Sequence, residues 1–424
     1  MGNVRPSPRV LLISGQPLPL GGGAATGAGL RAWSLGQGLA SHGIEVVYSL
    51  PVEVVNRIPN PPDVIREMAF DYHLLDKVIE KVKPTVVLLQ GWPLAHLLTE
   101  RSDLPLAIDL NGPFFIENLY SGVEDSNLMP FRKLRAFQKA DFITCSGKVQ
   151  RNYFFPWLQM AGHDLLSSSD PCPSIPVSLS PELPTPNPPD EPIFVYGGIF
   201  LPWQDPTLAL RQIVRRIDQR GYGRLVIFGG PHPIYPFPTG DMPSIVQELK
   251  THPRVEYAGL VPHDTIMARY LECSVFVELM KKNIERELAF TNRTVGALWS
   301  GLPVLYNNYS ELSPLIHEYQ AGWTVDPEDG AGIDRVIDEI LDHPEMLRVY
   351  RQNAQRLVRE QLTWDKTIAP LAEFCKAPFK RRRLTATLDQ TVTPLDDRIG
   401  QLFIRLMNSK AYKKIKKLKQ SWSG

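Results

Sequence analysis

Three short apolar runs in the second half of the chain end in glycine or in a loop, where the backbone is accessible. These runs are IFVYGG, RLVIFGG and RVEYAGL. Ligands of open α/β sheets bind outside the carboxyl ends of parallel strands, and glycine lets a ligand approach the backbone there. We expect the three ends to meet in one crevice that binds a nucleotide. The residues concerned are Gly197, Gly198, Gly229, Gly230, His232 and Val261.

A glycine-rich segment, GQPLPLGGGAATGAGLRAW, follows the first apolar run of the chain. Gly27, Gly29 and Ala32 fit the spacing of a dinucleotide-binding fingerprint, but that fingerprint must come directly after its strand, and here a long loop intervenes. We therefore do not expect a nicotinamide cofactor. Instead we expect a loop around Gly22 and Gly23 that opens a helix on the acceptor side and brings backbone amides to an anion or a sugar. A plain flexible connection is the alternative.

Alternating strands and helices must position these loops. In the first half RVLLIS, EVVYSL, TVVLLQ, LAIDL and DFITC are near-continuous apolar runs, followed by a weaker PSIPV; SVFVEL, PVLYNN and WTVDP complete the second half. Such runs, separated by amphipathic helices, predict parallel sheets that are buried on both faces. The helical period is visible where Ala32, Leu35 and Leu39 fall on one face.

The proline-rich stretch SPELPTPNPPDEP separates the two sets of strands. Its prolines cannot continue a helix or occupy a central strand, which favours a stiff connection between domains. The sequence thus predicts Rossmann-like domains at residues 1–180 and 193–375, joined by a linker at 181–192. Residues 376–424 form a basic tail, in which lysines alternating with apolar residues are typical of an amphipathic helix. Such a helix lies on an anionic membrane surface or folds against the protein.

Composition and charge exclude several classes of protein. The chain has 424 residues, of which 43% are hydrophobic, enough to build two cores, and its net charge of +1 offers no field to attract nucleic acid. Cys145, Cys172, Cys273 and Cys375 are too scattered for a zinc site or a disulfide framework, and the histidines show no metal-ligand spacing. The N-terminus lacks the pattern of a signal peptide, and no apolar run is long enough to span a bilayer. We therefore expect a cytoplasmic, metal-free protein that contacts the inner face of the membrane through its tail, if at all.

One segment carries a family resemblance. The string ELAFTNRTVGALWSGLPVL, with AGWTVDP downstream, resembles the donor-binding region of family 4 glycosyltransferases, and Gly301, Pro303 and Val304 match the turn and strand of that family. The resemblance extends loosely over residues 8–375. It implies the GT-B fold, in which two Rossmann-like domains face each other across a cleft. It also implies transfer from a nucleotide sugar, with a UDP-sugar favoured, to a glycan or lipid-linked acceptor. Configuration would be retained, and neither a metal nor another cofactor would be required.

The chain departs from the family pattern in this segment. The family often carries two glutamates at a fixed spacing, but here Gly296 stands at the second position and Leu288 at the first. Glu285 and Glu287 lie close to the first position and out of register. We expect one of them to orient hydroxyl groups of the donor sugar, and a surface charge cluster is the alternative.

Arg293 and Thr294 begin the helix that the resemblance places here. A guanidinium and a helix N-terminus can together bind a diphosphate. The family tends to carry a basic pair after the first glycines of the second domain, whereas residues 199–204 contain no lysine or arginine. Arg293 is therefore expected to supply the missing cation.

In the first domain, Asn111 of LAIDLNGP stands where many relatives have a histidine beside the reacting sugar. We place Asn111 at the catalytic centre, although its amide does not take up a proton at neutral pH and so cannot act as a general base. Retaining members of the family are thought to need no such base. Asp109 and Glu117 flank it and are expected to contact an acceptor hydroxyl. Trp92 either stacks on a sugar face or is an aromatic residue at the edge of the core.

Two other functions fit the same sequence. A non-catalytic subunit of a polysaccharide assembly would bind a nucleotide sugar without transferring it, and Gly296 and Asn111 favour this reading. A sugar-nucleotide epimerase on the same fold would need an acid and a base in the cleft and would work without an acceptor. The fold alone cannot separate these functions, because function depends on the site.

Overall fold

Parallel strands form two separate sheets, one before and one after the proline-rich linker. The computed structural model describes residues 7–71, 75–98, 103–122, 128–166 and 170–381. The first sheet has the strand order β2-β1-β3-β4-β5 and consists of β1 (Arg9–Ser14), β2 (Glu45–Ser49), β3 (Val86–Gln90), β4 (Leu106–Leu110) and β5 (Phe142–Cys145). The second sheet has the order β11-β10-β9-β6-β7-β8 and consists of β6 (Ile193–Ile199), β7 (Arg224–Gly230), β8 (Val255–Gly259), β9 (Val275–Glu278), β10 (Val304–Asn307) and β11 (Gly322–Val325). The prediction of two parallel α/β sheets is confirmed.

Helices connect the strands and cover the sheets. The helices that follow strands of the first sheet are α1 (Gly27–Ser41), α2 (Val52–Val55), α3 (Asp63–Glu67), α4 (Leu75–Val82), α5 (Phe114–Tyr120), α6 (Met129–Lys139) and α7 (Lys148–Met160), with a 3-10 helix at Trp92–Leu97. Those that follow strands of the second sheet are α8 (Thr207–Arg220), α9 (Met242–Leu249), α10 (His263–Leu271), α11 (Ile284–Leu288), α12 (Asn292–Trp299), α13 (Ser313–Tyr319), α14 (Gly330–Asp342), α15 (Leu347–Gln361), α16 (Trp364–Thr367) and α17 (Ala369–Lys376), with a 3-10 helix at Pro344–Met346.

The central strands are buried on both faces, which explains their near-continuous apolar sequences, whereas β2, β8 and β11 at the sheet edges are only partly buried. In β1, Val10 and Leu12 belong to the core cluster that contains α1, whereas Leu11 and Ile13 belong to the cluster that contains α6 and α7. This alternation follows from the geometry of a strand, in which successive side chains point to opposite faces.

The order of the strands determines where a ligand can bind. The second sheet has the doubly wound order in which the chain starts at a central strand, β6, fills one side of it and then the other. A crevice opens at such a reversal, outside the carboxyl ends of the two central strands. Here those ends carry Gly198 on β6 and Glu278 on β9.

The boundary between the domains differs from the prediction. The backbone N–H of Leu179 donates to Leu362 O (3.0 Å), and that of Trp364 donates to Leu179 O (2.9 Å), so two segments of the chain cross between the domains side by side. Beyond this point, α16 and α17 pack against α1 in the core of the first domain. The predicted second domain, 193–375, therefore extends too far, because the chain returns to cover an apolar face of the first domain.

Two further predictions concern single segments. PSIPV is not a full strand, since a single bridge joins Ser174 to Cys145 at the end of β5. Residues 382–424, which contain the predicted amphipathic helix, lie outside the described residues. Among the helices that the structure does describe, none combines the length and the apolar character needed to span a bilayer.

A buried ion pair joins α1 to the first sheet. Arg31, 2% exposed, donates from Nε and Nη2 to the two carboxylate oxygens of Asp109 at 2.7 and 2.8 Å, and Thr144 Oγ1 donates to the same carboxylate at 2.7 Å. The prediction that Asp109 contacts an acceptor is wrong, because its carboxylate is fully buried and its partners are internal.

We expect D109N to destabilise the protein by about 3–5 kcal/mol, because Arg31 would keep its buried charge without a counter-charge. The matched control is E45Q, which breaks the exposed ion pair between Arg9 and Glu45 on neighbouring strands and should cost less than about 1 kcal/mol. Urea unfolding followed by circular dichroism measures both. Equal, small losses for the two variants would contradict a structural role for the buried pair.

Candidate functional site

A cleft of about 620 Å³ lies between the carboxyl ends of the two sheets. Both domains line it, the first through the loops after β1, β3 and β4, and the second through β6 and α12. The structure brings together these predicted site residues around the cleft: Trp92, Asn111, Glu117, Gly197, Gly198, His232, Glu285 and Arg293. Gly296, where the resemblance leads one to expect a glutamate, also lines it.

Other predicted residues do not line the cleft, namely Gly22, Gly23, Asp109, Gly229, Gly230, Val261, Glu287 and Thr294. Thr294 lies on the buried face of α12, where its hydroxyl accepts a hydrogen bond from Thr291 Oγ1 (2.7 Å). Glu287 lies on the solvent side of α11 and pairs with Lys282 Nζ at 3.0 Å. Val261 packs on the core of the second domain.

The glycines at the ends of β6 and β7 act through close packing. A Cβ atom on Gly229 would lie 2.0 Å from Gly198 O, so the two strand ends can approach only without a side chain there. Gly198 has a φ of +154°, and a Cβ on it would lie 2.2 Å from Arg293 Nη1. Gly198 thus makes room for the guanidinium beside the cleft.

In the first domain the later part of the glycine-rich loop reaches the cleft, rather than Gly22 and Gly23. Thr26 caps α1, since its Oγ1 accepts from the backbone N–H of Gly29 at 3.1 Å. A Cβ on Gly29 would lie 1.8 Å from Pro17 O, so glycine is required where the helix start packs against the loop. Residues 25–28 consequently line the cleft. Gly23 instead accepts a long backbone hydrogen bond from His263 (3.5 Å) across the domains.

Four charged side chains of the second domain form a buried cluster beside the cleft. Glu278, at the end of β9, is fully buried; its carboxylate lies 2.6 Å from Arg293 Nε and 3.6 Å from Arg286 Nη1. Arg286 also donates to both oxygens of Glu285, at 2.5 and 2.9 Å. Two carboxylates and two guanidiniums balance, which is what makes their burial tolerable.

Neighbouring charges keep the two arginines charged. Burial alone would lower the pKa of Arg286, but Glu285 and Glu278 more than compensate and raise it. Burial also tends to lower the pKa of Arg293, but the negative charge of Glu278 outweighs this effect, so the pKa of Arg293 is raised as well. Arg286 and Arg293 are the only lysine or arginine residues among the described residues that line the cleft. Arg293 Nη2 has no hydrogen-bond partner within the described part of the chain.

Glu117 faces this cluster from α5 of the first domain. Burial, with a smaller contribution from the negative charge of Glu285, raises the pKa of Glu117 to about 8, although Arg286 acts in the opposite direction. At neutral pH most Glu117 side chains therefore carry a proton. A neutral carboxyl can both donate and accept a hydrogen bond.

Sequence reasoning missed Glu278 and Arg286. Glu278 is a carboxylate at the carboxyl end of a buried strand, which is a signal that could have been used. Arg286 lies between the two glutamates singled out in IEREL, but nothing in the sequence indicates that its side chain turns inward. Within the described residues, no group of three histidine, cysteine or acidic side chains could hold a metal ion.

Contacts across the cleft hold the two domains in a closed arrangement. Glu311 of the second domain caps α7 of the first, accepting from the backbone N–H groups of Lys148 (2.7 Å) and Val149 (3.0 Å). The N-cap residue of α7 is Gly147, which has no side chain to cap the helix itself. At the other end of the cleft, Tyr235 donates its hydroxyl to Gly15 O at 3.2 Å.

Comparison with known proteins gives the class of fold. No family model matches the chain, and neither does any curated protein. Solved structures match over most of its length and share its GT-B fold, so the predicted pair of Rossmann-like domains facing a cleft is confirmed.

Three of these structures illustrate the likeness. Sucrose-phosphate synthase from Thermosynechococcus elongatus aligns with a TM-score of 0.67 at 17% identity, covering 87% of this chain and 98% of that one. Trehalose-6-phosphate synthase aligns with a TM-score of 0.63 at 10% identity, over 88% and 100%. The HepE protein of Anabaena in complex with UDP aligns with a TM-score of 0.59 at 12% identity, over 86% and 98%. Likeness at these identities establishes the fold alone.

The first prediction from the site concerns Glu117 and pH. Because its pKa is higher in the folded than in the unfolded protein, its burial destabilises the fold increasingly as pH rises from about 4.5 to about 8. E117Q lacks this charge, so at pH 8 and above its free energy of unfolding should exceed that of the wild type by about 2 kcal/mol. This difference is smaller than the pKa shift alone would give, because water in the cleft screens the charge. Urea unfolding of both proteins at pH 5 and pH 8.5 tests this. A difference that does not grow with pH would show that Glu117 is ionised in the fold.

The second prediction concerns the cap that Glu311 provides to α7. Removing an N-cap interaction costs about 1 kcal/mol, so E311A should favour opening of the cleft about fivefold. G147A should act in the same way, because its Cβ would lie 2.3 Å from Glu311 Oε2. Small-angle X-ray scattering should show an increased radius of gyration for both variants. The double variant should open no further than either single one, since both remove the same contact.

E328A, which changes an exposed glutamate in the same domain, is the control for the cap and should leave the radius of gyration unchanged. Additive effects of E311A and G147A would contradict a shared contact.

Proposed function

We propose that the chain is a glycosyltransferase that takes a sugar from a nucleotide donor, a UDP-sugar, and transfers it to a glycan or lipid-linked acceptor. The observation that carries the proposal is Arg293. It is a charged guanidinium at the start of α12, beside the strand reversal of the second sheet, and its Nη2 is free of partners among the described residues. An anionic ligand in the cleft would supply the missing acceptor.

The leaving group is a nucleoside diphosphate, which gains negative charge as the bond to the sugar breaks. Arg293 stabilises that charge together with the first backbone N–H groups of α12, which its N-cap residue Thr291 leaves without a side-chain cap. No metal takes part in this arrangement. The acceptor hydroxyl attacks the same carbon from the face of the departing diphosphate and gives its proton to the departing diphosphate oxygen, so the configuration is retained.

Two carboxyl groups position the sugar and the acceptor. Arg286 holds Glu285 by two hydrogen bonds, so its carboxylate is fixed at the cleft and orients a donor hydroxyl. Glu117, protonated at neutral pH, contacts the acceptor hydroxyl from the opposite domain. Asn111 accepts a hydrogen bond from Ser146 Oγ at 3.1 Å and acts as a polar wall rather than as a base.

Solved structures with the same fold support the choice of donor. HepE of Anabaena has been crystallised with UDP-glucose, and that structure aligns with a TM-score of 0.57 over 86% of this chain. The two synthases named above are, as their names state, enzymes that make phosphorylated disaccharides. We carry the UDP-sugar class to this chain because its cleft offers the guanidinium of Arg293 at the start of α12.

A second function is favoured by two specific residues. Gly296 contributes no side chain to the cleft where the resembling family has a glutamate, and Asn111 cannot accept a proton. A nucleotide-sugar-binding subunit without catalytic activity would tolerate both.

Calorimetric titration with UDP, GDP, ADP and CMP, each with the corresponding nucleotide sugars, tests donor binding. R293A should weaken binding of the UDP series about 10- to 100-fold, the value of a charge-assisted hydrogen bond of about 1.5–3 kcal/mol. R293K keeps the charge that neutralises Glu278 and should give an intermediate loss without unfolding. R335A, at an arginine with 73% exposure in the same domain, is the control. Absence of binding to every nucleotide would contradict the proposal.

A turnover assay distinguishes a glycosyltransferase from a subunit that binds the nucleotide sugar without transferring it. The wild type with its donor and a panel of glycan and lipid-linked acceptors should release UDP and form a glycosylated product detectable by mass spectrometry. Tight donor binding with no release of UDP under any acceptor would favour the non-catalytic reading.

A further inference from the structure

The loop between β6 and α8 contributes two side chains to the cleft that no step above uses. Trp203 and Gln204 both line the cleft, and they are 6% and 8% exposed. The loop contains no lysine or arginine before α8 begins at Thr207. Trp203 and Gln204 are neutral, and the loop's charged residue, Asp205, accepts a hydrogen bond from the backbone N–H of Thr207 at 3.0 Å.

The backbone of this loop is held in place at several points. Asn283, the N-cap of α11, donates from Nδ2 to Trp203 O at 2.8 Å, and the backbone N–H of Lys281 donates to Asp205 O at 2.8 Å. The backbone N–H of Gln204 donates to Leu201 O at 3.0 Å. Trp203 and Gln204 are therefore presented by a fixed loop tied to α11, the helix that carries Glu285.

The same loop also meets the first domain. The rings of Trp203 and Tyr120 lie 6.5 Å apart, and Tyr120 ends α5, the helix that carries Glu117. Trp203 therefore lies at the junction of α5 and α11, where the negative charge of Glu285 contributes to the raised pKa of Glu117. This is the part of the cleft in which a sugar must lie if those carboxyl groups are to orient it.

Two polar atoms of this pair have no partner. Trp203 Nε1 and Gln204 Oε1 are shielded from solvent, and neither has a hydrogen-bond partner among the described residues. Buried polar groups are nearly always paired, and an unpaired one in a fixed loop calls for a ligand or another explanation. With the domains closed, a group carried into the cleft would have to supply both partners.

The chemistry of the two atoms selects that group. An indole N–H only donates, whereas an amide oxygen only accepts. A hydroxyl does both and can satisfy either atom. A phosphate or carboxylate oxygen satisfies the indole but repels the amide oxygen, and no cation in the loop offsets that repulsion. Neutral, hydroxyl-rich ligands fit this pair, and anionic ones do not.

We propose that Trp203 and Gln204 form the subsite that recognises hydroxyl groups of the sugar carried by the nucleotide donor. The proposal rests on the function proposed above. It divides the donor site into two parts, in which Arg293 and the start of α12 bind the diphosphate, and the loop after β6 selects the sugar.

Titration calorimetry with UDP, UDP-glucose and UDP-galactose tests this division. The wild type should bind UDP and should bind a UDP-hexose more tightly. W203F and Q204L, which remove the donor and the acceptor separately, should each lower affinity for the UDP-hexose about tenfold, because a site built to bond a hydroxyl discriminates strongly when the bond is lost. Affinity for UDP should stay unchanged. Near-ultraviolet circular dichroism verifies that each variant is folded. Because the two variants are independent, the test remains possible if one of them does not fold.

The matched controls are W299F and Q247L. Trp299 Nε1 donates to Ser180 O at 2.8 Å away from the cleft, and Gln247 is exposed on α9. Both controls should bind UDP and the UDP-hexose as the wild type does. Equal losses for UDP and the UDP-hexose in W203F and Q204L would overturn the subsite, and so would no loss for either ligand. In both cases binding of UDP by the wild type would still support the proposed function. A higher KM for the acceptor with unchanged donor affinity would also overturn it by assigning the pair to the acceptor. No binding of UDP or of the UDP-hexoses to the wild type would overturn the proposed function and the subsite with it.

Discussion

The second-domain side of the cleft depends on how one fully buried carboxylate is neutralised. Glu278 stands at the end of β9, where the reversal of strand order opens a crevice, and a bare charge there would be prohibitively costly. Arg293 and Arg286 neutralise it from α12 and α11, and Arg286 in turn fixes Glu285. This chain of contacts orients the start of α12 and the inner face of α11 towards the cleft. The glycine at position 198 is needed because Arg293 occupies the space that a side chain would fill.

The second constraint is that two domains must be held to each other on either side of an open cleft. The chain crosses between the domains twice, at Leu179 and Leu362, and the two crossing segments are hydrogen-bonded to each other. Side chains of one domain also form hydrogen bonds with backbone groups of the other domain across the cleft. The capping of α7 by Glu311 is the clearest of these, because a helix of one domain completes its own hydrogen bonding only when the other domain is in place.

Closure also brings carboxyl groups of opposite domains together. Glu117 comes from α5, and the cluster around Glu285 and Arg286 comes from α11, two helices in contact across the cleft. Burial between them favours the neutral form of Glu117. The protonation of this group is therefore a property of the closed protein. The same junction holds Trp203, whose loop is tied to α11 through Asn283, so the neutral and the charged parts of the site are built from neighbouring elements.

The sequence by itself determined the strands, the helices that alternate with them and the two-sheet architecture, because burial on both faces of a parallel strand imposes a continuous apolar run. It also indicated Gly198, Glu285 and Arg293 as residues of a cleft, because ligand crevices of open α/β sheets lie at the carboxyl ends of the strands. Only the tertiary structure decided which of these residues reach the cleft. Asp109 is adjacent to Asn111 in the same segment but is turned into the core by Arg31, and Glu287 is separated from Glu285 by one residue yet lies on the solvent side of α11. It also decided that α16 and α17 return to the first domain. Side-chain direction and long-range contacts depend on how elements pack against one another, and local sequence patterns do not record that packing.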